Sequence, residues 1–149
     1  MAALFAFLHH LAAFALVAAI AVEFVVIRGA LTVDSARKLR AVDAVYGASA
    51  GLLLIVGLLR VFYFEKGAAF YFGNAFFIAK LTLFIIVGLL SIYPTLQFAA
   101  WRKALKLGQL PPVDESRLHA IRRIIHWELA GIALILLCAA LMARGIGQL

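Results

Sequence analysis

Four mainly apolar blocks, at 4–27, 41–64, 75–98 and 124–143, leave this chain few ways to fold. Each holds 20 to 24 residues, and a helix needs about 20 to cross the hydrocarbon layer of a bilayer. The fold class is therefore an all-α integral membrane protein, a four-transmembrane-helix bundle. Only 14% of the residues are charged against 66% hydrophobic, whereas a soluble domain carries about a quarter charged. That leaves no room for a soluble second domain. With their flanks the helices are expected at about 4–27, 35–64, 75–103 and 115–143, in one domain over 1–149.

The first block has no basic segment ahead of it and is too long for a secretory h-region, so it reads as a retained helix. Cys138, the only cysteine, lies inside the fourth block, which excludes a disulfide or a thiolate metal site within one chain.

The net charge of +7 is explained by topology. Arg28, Arg37, Lys38 and Arg40 follow the first block, and Arg102, Lys103, Lys106, Arg117, Arg122 and Arg123 follow the third. Cytoplasmic loops carry such an excess. Both termini are thus expected on the periplasmic side of a bacterial cytoplasmic (inner) membrane. The partner this charge implies is the lipid bilayer, with no nucleic acid. No glycine-rich phosphate loop and no His-Glu-x-x-His zinc spacing occurs.

Helix starts are marked by Asp34 as an N-cap and by Asp114 after Pro111-Pro112. Val33, Asp34, Arg37, Ala50, Gly51, Leu54 and Ile55 recur 80 positions later as Val113, Asp114, Arg117, Ala130, Gly131, Leu134 and Ile135, a pattern that would fit two related helical hairpins. Gly47 and Gly51 form a small-xxx-small face suited to close helix packing, within the bundle or in a homodimer. Pro94 removes a backbone donor inside the third span, and Ser91 or Thr95 is placed to satisfy the carbonyl it frees.

Ionisable residues inside spans are costly, so their depth is informative. At a rise of 1.5 Å per residue, His10 lies ~9 Å and Lys80 ~8 Å below the outer ends of their helices. Arg60 enters the same layer, with Glu65, Lys66 and Arg144 at its rim. A second layer near the cytoplasm holds Glu23, Arg28, Asp43, Tyr46, His126 and Glu128. Three acids facing two bases there suggest an ion-paired network that locks the helices. The layers differ by roughly 20 Å in axial rise, which excludes a haem shared between His9 or His10 and His126. Successive helical residues turn by about 100°, so His9 and His10 cannot both face the core, and periodicity does not choose between them. A histidine here either holds a ligand or bonds a backbone carbonyl.

The stretches His9–Phe14, Tyr46-Gly47, Arg60–Gly67, Leu90–Thr95 and Met142–Gly145 resemble a bacterial family of four-helix membrane proteins known as a domain of unknown function. The resemblance covers nearly the whole chain and implies no activity. More distantly, Phe7–Leu11 and Ile78–Leu83 are similar to two stretches of the HemJ-type membrane protoporphyrinogen oxidase family, whose required histidine and lysine accompany bound haem b. The resemblance matches His10 and Lys80 to those two residues. That family's aromatic-Ala-Gly segment in helix one is absent, and Tyr93-Pro94 stands where it has a further histidine.

Three functions stay open. The first is a haem b or related tetrapyrrole protein with a redox role, an oxidoreductase if an enzyme. In it His10 (or His9) is the axial ligand, Lys80 is the opposite ligand or pairs with a propionate, and Arg60 pairs with the other propionate. The second is a small proton-coupled transporter using Glu23, Asp43 and Glu128. The third is a non-catalytic accessory membrane protein whose polar layers are interhelical glue.

Overall fold

The computed structural model describes residues 1–149. It is all helical: α1 (Ala2–Val26), α2 (Val33–Leu59) continuing through one π-helical turn (Arg60–Phe64), a short α3 (Ala68–Phe72), α4 (Ala75–Ala100), a short α5 (Arg102–Lys106) and α6 (Glu115–Ala143). Four stretches are long and apolar enough to cross a membrane: Ala2–Val26, Val33–Phe64, Ala75–Lys106 and Glu115–Ala143. We call the end with residues 27–32 and 107–114 inner, and the end with both termini outer.

Local chemistry sets the helix starts. The cap of α2 is Thr32, not Asp34. The Ser35 N–H donates to Thr32 Oγ1 at 3.1 Å while the Thr32 N–H donates to Ser35 Oγ at 2.8 Å, a reciprocal capping box. Asp34 sits in the first turn, paired with Lys38 at 2.7 Å. Asp114 does cap α6, accepting from the Arg117 N–H at 3.0 Å. Asn74 caps α4 by accepting from Phe76 and Phe77, and its Nδ2 donates to the Ile146 carbonyl at 3.0 Å. The Ala75 N–H reaches Gly147 O and the Leu149 N–H reaches Gly73 O. The C-terminal residues are thereby latched over the outer end. Gly147 is needed there: its φ is +91°, and a Cβ would stand 2.5 Å from Phe76 Cδ2.

The helices pack as two pairs, α1 with α2 and α4 with α6, with much slighter contact between pairs. A Cβ on Gly131 would lie 2.5 Å from Val87 Cγ2, so glycine brings α6 close to α4. Its counterpart Gly51, and Gly47, meet nothing within 4 Å, so that small-residue face makes no close approach within the chain. The hydrophobic core fills the inner end, where Ile20, Ile27, Leu39, Phe98, Trp101, Ile121 and Ile125 are buried. Toward the outer end the two pairs part.

α4 runs unbroken through Pro94. Ser91 donates to the Gly88 carbonyl at 2.7 Å and Thr95 to Asp43 Oδ1 at 2.8 Å. Neither hydroxyl turns to the Leu90 carbonyl that the proline ring leaves without its donor, as had been expected of them. Thr95 is committed to another helix instead.

Candidate functional site

Between the two pairs lies a cavity of about 260 Å³ walled by α1, α2, α4 and α6. Its wall is mainly hydrophobic, 19 of 28 residues, as in sites for apolar ligands with a few fixed polar groups. His9, Arg60, Lys80, Glu65 and Tyr71 line its outer part, and Tyr46, Ser91 and Thr95 its deepest part.

Of the adjacent histidines, His9 faces the cavity. The His10 ring is exposed and its Nδ1 lies 2.6 Å from the Ala6 carbonyl one turn back. The structure thus places His10, the position matched by the HemJ-type resemblance, off the cavity wall. Its bond to Ala6 is the backbone-carbonyl arrangement set against the ligand role above. His9 is held against α2 where Gly57 leaves room: a Cβ there would meet the ring Cε1 at 3.1 Å. Its Nδ1 is buried without a hydrogen-bond partner.

The π turn ends α2 and carries Arg60 to the cavity mouth. Such turns are rare and concentrate at functional sites. One Arg60 Nη donates to Glu65 Oε1 at 2.6 Å, and the Tyr71 hydroxyl donates to Glu65 Oε2 at 3.4 Å, closing an Arg–Glu–Tyr latch across the outer end. The hydrogen bond from Arg60 holds the Glu65 carboxyl below the ordinary carboxylate range. Burial, and then the Glu65 charge, push the Tyr71 hydroxyl up, so it remains a donor at neutral pH. The Arg60 Nε is buried with no partner. Lys80 forms no ion pair, and its ammonium stands 5.2 Å from the Phe77 ring centre. The mouth therefore offers one unpartnered imidazole and two cations, only one of which is neutralised.

The inner layer divides. Glu23 from α1, Asp43 from α2 and Glu128 from α6 are all buried. They lie within electrostatic range of one another. Arg28 and His126 are exposed and lie apart from them, on a shallow basic surface with His119, Arg122 and Arg123. The Arg28 guanidinium stacks 4.0 Å over Phe24, and Arg122 Nε donates to the Ile27 carbonyl at 2.8 Å. The expected ion-paired network is absent: no salt bridge involves any of the three acids. Sequence reasoning missed Tyr71 as the third member of the latch, Gly57 as the seat of His9, and the cross-helix bond from Thr95 to Asp43. The last two are contacts between helices and the first a contact within the loop between α2 and α4; none carries a spacing signature.

Residues 1–147 match the family described as "Predicted membrane protein (DUF2214)", and the chain belongs to that family. Neither the curated proteins nor the solved structures contain a match to it.

Proposed function

From this membership and this cavity, we propose that the protein lies in a bacterial inner membrane with both termini outward and binds haem b or a related tetrapyrrole for a redox role. The observation that carries the reading is His9, an imidazole on the cavity wall whose buried Nδ1 has no hydrogen-bond partner, level with Arg60 and Lys80. The polar residues present fit the group; a tetrapyrrole is larger than the space of about 260 Å³, so the two hairpins would part to admit it. With Nδ1 turned to the Gly57 side, Nε2 is left for a metal, and imidazole is the usual proximal haem ligand. Arg60 Nε and the Lys80 ammonium provide donors for two propionates. The apolar wall excludes water from the ring faces. The lysine of the HemJ-type resemblance lines this cavity; the histidine that does so is one position before its match.

Bound there, haem b would supply one-electron chemistry. The protein's own part is to hold the ring by its edge cations, to fix the imidazole against α2, and to cover the mouth with the Arg60–Glu65–Tyr71 latch. The test is a visible spectrum of the detergent-purified protein, oxidised and then reduced with dithionite, after growth with a haem precursor. A Soret band that shifts on reduction is expected, lost in His9→Ala and kept in His10→Ala. A featureless spectrum would sink the haem reading, and loss in His10→Ala alone would reassign the ligand.

A further inference from the structure

Beneath the cavity floor, Glu23, Asp43 and Glu128 converge from three helices, and nothing in the haem reading uses them. We propose that they form a proton-binding site that exchanges with the cavity through Thr95 and Tyr46. The inference does not depend on what the outer part of the cavity binds.

Three observations beyond the clustering of acids carry it. First, Glu23 and Glu128 are each 1% exposed, and one carboxyl oxygen of each is buried with no hydrogen-bond partner. Second, Tyr46, 4% exposed and one turn from Asp43, lines the cavity and makes no hydrogen bond. Third, Asp43 is joined by a 2.8 Å hydrogen bond to Thr95, which also lines the cavity. The floor of the cavity therefore carries two hydroxyls, one of them bonded to Asp43.

No cation neutralises the group. On α1, Arg28 is stacked on Phe24; on α6, Arg122 is bonded to the Ile27 carbonyl, and His126 is exposed beside Phe24 and Trp127. α2 presents only Asp43 and Tyr46 here, and α4 only Ser91 and Thr95. No group of three acidic or metal-ligating side chains is close enough to hold a metal ion. An uncompensated carboxylate in an apolar interior is so costly that such a group neutralises by taking up a proton. Three of them cannot all remain ionised among four apolar helices. Protons are thus the ligand this cluster is built to hold. In each loading step a proton from cavity water passes along the Thr95 or Tyr46 hydroxyl to a carboxylate, which becomes the neutral acid; unloading is the reverse.

The experiment uses the full-length protein in nanodiscs, with dicyclohexylcarbodiimide as the probe. This apolar reagent forms adducts with protonated carboxyls within membranes. Peptide mapping is expected to find the adduct on Glu23 or Glu128 and none on the exposed Asp34 and Glu115. Its yield should fall about tenfold per pH unit once the site deprotonates. Infrared spectra of the unmodified protein should show protonated-carboxyl bands that shift in D2O, and Glu128→Gln should remove one of them. The infrared measurement on the unaltered chain needs no variant to fold. Absence of both adduct and bands would overturn the proposal. Protection by sodium or potassium ions at fixed pH would overturn it too, by showing that a metal cation is the occupant.

Discussion

His9 and His10 are chemically identical and adjacent, yet a rotation of about 100° separates a ring on a cavity wall from one bonded to its own helix. The sequence held no clue to which is which, because α1 is apolar on every side and offers no stripe to orient it. The depth of the layer was legible: Arg60, Lys80 and one histidine do share a cavity mouth. The partnering of the inner acids was not. Counting bases nearby suggested ion pairs, whereas Arg28 and Arg122 spend their guanidiniums on a ring and a carbonyl. At the mouth, Glu65 makes a prediction. Because Arg60 lowers its carboxyl in the folded state, the latch contributes fully above the ordinary carboxylate range. Its contribution is lost as pH falls through the lowered value. Glu65→Gln should destabilise by less than about 1 kcal/mol at neutral pH, since the pair is partly solvated. Thermal unfolding of the two proteins should converge in acid; a gap that widened instead would mean the latch has another source.

At the level of single helices, composition was an adequate guide to existence and a poorer one to ends. Apolar runs marked all four spans. Asp34 lost the cap of α2 because Thr32 and Ser35 satisfy two backbone donors together, where an aspartate satisfies one. The π turn at 60–64 had no signature in the sequence. Two glycines test the packing. Gly131→Ala drives a methyl into Val87 and should cost about 1–3 kcal/mol by overpacking. Gly57→Ala stands 3.1 Å from the His9 ring and should leave stability nearly unchanged, because alanine favours the helix by up to ~1 kcal/mol, while altering any spectrum that depends on His9. Melting curves of both variants in one detergent, set beside their visible spectra, separate the two effects.

Across the whole molecule, the seven matches at an offset of 80 fall on α2 and on α6 with the two residues leading into it, the second helix of each tightly packed pair. The chain does pack as two hairpins, with Gly51 left open where Gly131 is in close contact. The distribution of basic residues predicts one orientation: a phosphatase reporter that folds only outside the cytoplasm should be active when joined to residue 144 and silent when joined to residue 108. The reverse pattern would invert the topology and move the cavity mouth to the cytoplasmic face. The space between the hairpins also has a mechanical meaning. Side chains do not fill it, so the area that the protein occupies in the plane of the membrane is set partly by what presses on it from the sides. Crowded acyl chains push the hairpins together, and a bound molecule props them apart. If the cavity takes the ligand proposed above, lipid composition and membrane tension would bear on how readily it is filled, with a stretched bilayer favouring the loaded form.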